Sequence, residues 1–76
     1  MTLRALSTYA ARGNRHAARL LARHRARQAI AAAGSGLSSE ARRALDLAKH
    51  WRAYSGASAH ITRRASAALA RAGIRH

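Results

Sequence analysis

The sequence SSEARRALDLAKHWRAY, residues 38–54, carries the clearest helical pattern of the chain. Its apolar side chains recur at i, i+3, i+4, i+7 and i+10, a spacing that places them on one helix face: Ala41, Ala44, Leu45, Ala48 and Trp51. Glu40 lies in the first turn, where a negative charge interacts favourably with the helix dipole. We therefore predict a helix over residues 38–54, with Trp51 in the core and Tyr54 at its edge.

Two helices are predicted before this one. Thr2 suits the N-cap of a short helix that ends at Gly13, and Tyr9 on that helix is expected to be packed. Asn14 then suits the N-cap of a second, longer helix. The GSG at residues 34–36 is the clearest break in the chain and ends this second helix.

A last helix is predicted near the C-terminus. Ser58 suits its N-cap and Gly73 its end, after which Ile74 is expected to fold back on the helix. The four predicted helices cover about residues 2–12, 14–33, 38–54 and 58–72.

The composition indicates an all-α fold. Alanine supplies 22 of the 76 residues and arginine 14, and both favour helices, whereas valine and phenylalanine, which favour strands, do not occur. There is no cysteine, so no disulfide can form within the chain. We predict a single small helical domain over residues 1–76, a bundle of three to four short helices. Because alanine buries little apolar area, the chain alone is expected to be only weakly stable.

The charge balance indicates a polyanionic partner. Fifteen Lys and Arg residues stand against two acidic ones, Glu40 and Asp46, and the net charge is +13. Such an imbalance costs stability through self-repulsion and favours association with a polyanion. The preference for arginine over lysine is explained equally well by a codon bias or by a phosphate-bearing partner. A codon bias does not explain why only two residues are acidic.

A row of arginines is the main candidate binding feature. In the predicted second helix an arginine occupies every fourth position: Arg15, Arg19, Arg23 and Arg27. The row rises about 6 Å per step, which is comparable to the spacing of successive phosphates along a nucleic-acid strand. Arg12, just before the break between the first two helices, and Arg25, nearer the flank of the second, widen the positive field. The functional interpretation is sequence-independent phosphate contact, and the alternative is a solvated charged face.

The C-terminal segment contains a second basic helix. It reads as a serine, then a Thr-Arg-Arg triplet, then a leucine and a closing Ala-Gly-Ile: Ser58, Thr62, Arg63, Arg64, Leu69, Ala72, Gly73 and Ile74. Over residues 58–74 this pattern resembles the recognition helix of winged-helix and helix-turn-helix DNA-binding proteins. The resemblance implies that Thr62, Arg63 and Arg64 face the major groove, where arginine suits guanine edges. The alternative is an ordinary amphipathic helix that closes the bundle.

The residues needed for catalysis do not form a recognisable arrangement. Glu40 and Asp46 are six positions apart on one helix and point in different directions, so they do not form an acid/base pair. No two of the five histidines are three or four positions apart, as a metal face on a helix requires, and no glycine-rich phosphate loop is present. We expect no enzymatic activity and no cofactor.

The sequence therefore predicts a small basic protein that binds DNA or RNA, alone, as a homodimer or within a nucleoprotein complex, in the cytoplasm. Short basic chains of this character are common among phage and mobile-element accessory proteins. Two other interpretations stay open: an inhibitor or adaptor that covers an acidic protein surface, and a membrane-active cationic peptide similar to bacteriocins. No apolar run is long enough to span a membrane, and alanine-rich faces insert weakly.

Overall fold

The computed structural model describes residues 2–76, and this part of the chain is an all-α bundle of four helices without strands. They are α1 (Leu3–Ala11), α2 (Arg15–Gly34), α3 (Ser38–Ser55) and α4 (His60–Arg71). Each observed helix end lies within two residues of the predicted one. The largest difference is the start of α4. The prediction of Ser58 as its N-cap is wrong, because Ala59 occupies the N-cap and no side chain caps the helix. The Ser58 hydroxyl instead accepts the His60 N–H at 3.2 Å, in the turn before the helix.

The predicted N-caps of the first two helices are present. The Ala5 N–H donates to Thr2 Oγ1 at 3.1 Å, and the Ala17 N–H donates to Asn14 Oδ1 at 3.0 Å. Each bond satisfies an N–H group that a helix start otherwise leaves without a partner. Helix α3 differs, because Leu37 occupies its N-cap and offers no side-chain acceptor.

The predicted end of the last helix is also confirmed. Gly73 has a φ of +73°, a conformation that favours glycine, and the Ile74 N–H donates to the Leu69 carbonyl at 2.9 Å. Ile74 is buried, so it packs back on the bundle as expected. Ala72 occupies the C-cap of α4 and is exposed.

The main core lies between α2, α3 and α4 and consists mostly of alanine. Its members include Ala26, Ala29 and Ala33 from α2, Ala41, Ala44 and Ala48 from α3, and Ala65 from α4. Side chains this small allow helix axes to approach closely. The fully buried large side chains of this core are Leu45 in α3 and Leu69 in α4.

A smaller core joins α1 to the first half of α2. It contains Leu6 and Ala10 from α1 and Leu21 from α2, and Trp51 from α3 packs against it. Trp51 is half-buried and meets Tyr54 edge-on, with ring centroids 5.9 Å apart. Tyr9, predicted to be packed, is 46% exposed because it lies beside the Leu6–Ala10 stripe rather than on it.

Helix α4 runs in the same direction as α2. The beginning of α4, at His60 and Ile61, lies beside Arg23 of α2, while its end at Ala72 lies beside Gly34. This arrangement brings one long edge of α4 against the exposed face of α2.

Candidate nucleic-acid interface

All four arginines of the predicted row lie on the surface. Arg15, Arg19, Arg23 and Arg27 are exposed, whereas Leu21 and the alanines on the other side of α2 are buried. A step of four residues advances a helix by about 40° beyond one full turn. The row therefore winds slowly around α2 while rising about 18 Å from the first arginine to the last.

The second half of this row borders a groove between α2 and α4. The groove is lined by four residues of α2 and three of α4: Arg23, Ala26, Arg27, Ile30, His60, Ile61 and Arg64. Arg23 and Arg27 supply one cationic side, and Arg64 supplies the other. The floor between them is apolar, formed by Ala26, Ile30 and Ile61.

A second hollow continues the groove toward the ends of both helices. It is lined by Ile30, Ala33 and Gly34 of α2 and by Ala68, Arg71 and Ala72, which lie on α4 or at its end. Ile30 lines both hollows and so stands between them. Its side chain is 39% exposed, whereas Leu21, a large apolar residue of the same helix, is fully buried. The α2–α4 groove thus consists of two neighbouring hollows that share Ile30; arginines of both helices line the first, and Arg71 is the arginine that lines the second.

The first half of the row belongs to a third hollow. Arg15, His16 and Arg19 line it together with Ser55, at the end of α3. The exposed basic surface therefore extends along the full length of the arginine row, past the point where the α2–α4 groove begins.

The two neighbouring arginines of α4 have different surroundings. Arg64 lines the α2–α4 groove, whereas Arg63 is exposed on a different side of the helix and does not line it. Thr62 is buried, and its hydroxyl donates to the Ala59 carbonyl at 3.2 Å. Of the triplet that the recognition-helix resemblance picks out, only the two arginines have exposed side chains.

Arg12 and Arg25 complete the basic residues near α2. Arg12 is exposed at the end of α1. Arg25 is partly buried and its Nη1 donates to Gln28 Oε1 at 2.8 Å. That bond holds Arg25 on the packed side of α2, so it does not extend the exposed row.

The acidic residues lie away from the α2–α4 groove. Both belong to α3; Glu40 lines a separate hollow with Gln28 and Leu37, and Asp46 is exposed. The residues that line the two hollows of the groove include no carboxylate. A phosphate there would meet positive charge without a competing negative partner.

Within residues 2–76, no cluster of three or more His, Cys, Asp or Glu side chains is placed to hold a metal ion. No helix in this same stretch combines the length and the apolar character that crossing a membrane requires.

No family model matches this chain, and comparisons with curated proteins and with solved structures gave no match.

Two arginine or histidine residues of the groove, Arg71 and His60, were not among the sequence-predicted binding residues. Arg71 follows Arg64 by seven positions, which is close to two helical turns, so the pair shares an edge of α4. This spacing could have identified Arg71 from the sequence as a partner of Arg64. His60 lines the groove only because α4 begins beside Arg23 and Arg27, and this placement depends on the packing of two helices distant in sequence.

Proposed function

We propose that this chain is a nucleic-acid-binding protein that holds the phosphate backbone between α2 and α4. The observation that supports the proposal is the groove in which Arg23 and Arg27 face Arg64 with no carboxylate among the lining residues. Two helices distant in sequence thus contribute the same chemistry to one surface. Guanidinium groups are well suited to phosphate binding because their planar fork donates two hydrogen bonds to a phosphate at once.

The contact is expected to be independent of base sequence. Asparagine and glutamine, the usual partners of adenine edges, do not line the groove. We assign its arginines to phosphates rather than to guanine edges. Arginines on exposed helical faces neutralise phosphates and set the position of the protein on the nucleic acid. Affinity should therefore depend steeply on salt.

The first experiment measures the binding of labelled duplex DNA, single-stranded DNA and structured RNA over a salt series. Neutralisation of phosphates releases counterions, so the logarithm of the affinity falls linearly with the logarithm of salt concentration. The R23Q/R27Q variant should lower the magnitude of that slope by about 1.4 to 1.8, the expectation for two lost phosphate contacts.

A matched control exists on α3. Arg42 and Arg43 are exposed and line neither hollow of the groove. The R42Q/R43Q variant removes the same amount of charge, but from outside the groove. It should therefore keep the parent protein's slope of affinity against salt. Equal losses in both double variants would show that only net charge matters, and negligible binding of all three nucleic acids would overturn the proposal in favour of an acidic protein or an anionic membrane as the partner.

A further inference from the structure

We propose, on the basis of the nucleic-acid-binding function above, that the α2–α4 groove takes a single strand and seats unstacked bases against Ile30. Phosphate contact alone does not explain why the floor of the groove is apolar. Ile30 is 39% exposed and lines both hollows, together with Arg23 and Arg27 of α2 and with Arg64 and Arg71 of α4. An exposed large apolar side chain in a cationic channel fits a ligand that carries apolar faces as well as phosphates.

The arrangement matches the chemistry of a single strand. Each nucleotide offers a charged phosphate and a flat base whose faces are free when the strand is unpaired. Arg23, Arg27 and Arg64 would hold phosphates near one hollow, and Arg71 would do so near the other. The bases would then lie on either side of Ile30, with Ile61 beneath the first hollow.

A duplex would make little contact with the apolar floor of the groove. Its bases are stacked in the interior and its outer surface is phosphate and sugar, so the arginines would contribute while Ile30 would not. An isoleucine that enters a duplex must first unstack a base step, which costs a few kcal/mol. We therefore assign the groove to single strands, and a preference for duplex is an outcome that the test below can reveal.

The test compares Ile30→Ala with Leu20→Ala. Leu20 is on the same helix and is 36% exposed, close to the exposure of Ile30, but it lines neither hollow. Ile30→Ala should weaken binding of a single-stranded oligonucleotide by about threefold to tenfold, at or just below the low end of what an aromatic stacking platform contributes, because isoleucine has no aromatic face. Leu20→Ala should leave it unchanged, and neither variant should alter binding of a duplex of equal length. Circular dichroism of both variants verifies that the fold is kept.

A second measurement isolates the bases from the phosphates. An oligonucleotide of the same length with abasic sites keeps every phosphate and loses the base faces. The parent protein should bind the abasic strand about as weakly as the Ile30→Ala variant binds the intact strand. The Ile30→Ala variant should bind the abasic and intact strands with equal affinity.

The results separate this inference from the proposed function. Steep salt dependence with equal affinity for single strand and duplex, and no effect of Ile30→Ala, would overturn the single-strand assignment and leave phosphate binding intact. Loss of duplex binding in Ile30→Ala would assign the residue to insertion into a duplex and would likewise overturn it. Absence of binding to any nucleic acid would overturn both.

Discussion

Arg27 of α2 and Arg64 of α4 line the same groove, although one belongs to the second helix of the chain and the other to the last. The parallel course of α2 and α4 produces this proximity. Arg63, the immediate neighbour of Arg64, is on a different side of α4. Two adjacent arginines are therefore predicted to differ in function.

The Arg64→Gln variant should lose about 1 kcal/mol of binding free energy, roughly a fivefold loss of affinity, because it removes one charge-assisted contact with phosphate. Arg63→Gln removes the same charge from the same helix and should change affinity by less than about twofold. Fluorescence anisotropy with one labelled oligonucleotide compares them directly. A helix that presents both arginines to a DNA major groove, as the recognition-helix resemblance implies, would instead give comparable losses.

The alanine core predicts a strong dependence on side-chain size. Ala29 is completely buried in α2, so Ala29→Leu should destabilise the fold by about 1–3 kcal/mol through overpacking. Ala31 is exposed on the same helix, and Ala31→Leu should stay within about 0.5 kcal/mol of the parent. Urea unfolding followed by circular dichroism measures both. If the two variants unfold at the same midpoint, the close packing of α2 does not depend on alanine at position 29.

Alanine substitutions at the two glycines near the end of α2 are expected to change the stability of the fold in opposite directions. Gly34 is helical with open space around it, so Gly34→Ala should stabilise the fold by up to about 1 kcal/mol. Gly36 has a φ of +74°, which strains any residue with a Cβ atom, so Gly36→Ala should destabilise by about 1–2 kcal/mol. The difference in thermal midpoint between the two variants tests both signs, and stabilisation by Gly36→Ala would contradict the left-handed turn.

The exposed arginines predict that salt stabilises the unbound protein. Their mutual repulsion opposes folding and is screened as the Debye length falls from about 30 Å to about 8 Å between roughly 0.01 M and 0.15 M ionic strength. The thermal midpoint should rise over this range, by about 4–8 °C for each kcal/mol of repulsion removed. R42Q/R43Q should reduce the rise, since it removes two of these charges. A midpoint that falls with salt would show that attraction, rather than repulsion, dominates among the surface charges.

The helices and most of the core were predictable because both depend on local patterns. The stripe from Ala41 to Ala48 is buried as its spacing indicates, and Asn14 caps α2 as its side chain favours. Tyr9 shows the limit of this reasoning. Its predicted burial followed the general tendency of aromatic side chains to be packed, but Tyr9 is 46% exposed beside the buried Leu6 and Ala10.

The groove itself was not predictable from local patterns. The exposure of the arginine row on α2 follows from the helical wheel, but the position of Arg64 beside it depends on how α4 packs against α2. No residue of α4 encodes that direction by itself. The position of Ile30 between two hollows likewise depends on α4, because residues of that helix complete both hollows.

The buried alanines also determine the width of the groove. Ala26, Ala29, Ala33 and Ala65 belong to the cluster that joins α2 to α4, and the separation of the two arginine-bearing edges follows from how closely these methyl groups allow the helices to approach. A single added methylene group in the core would move the cationic sides apart without altering any charge. Side chains that never contact solvent thus help to select which polyanion fits.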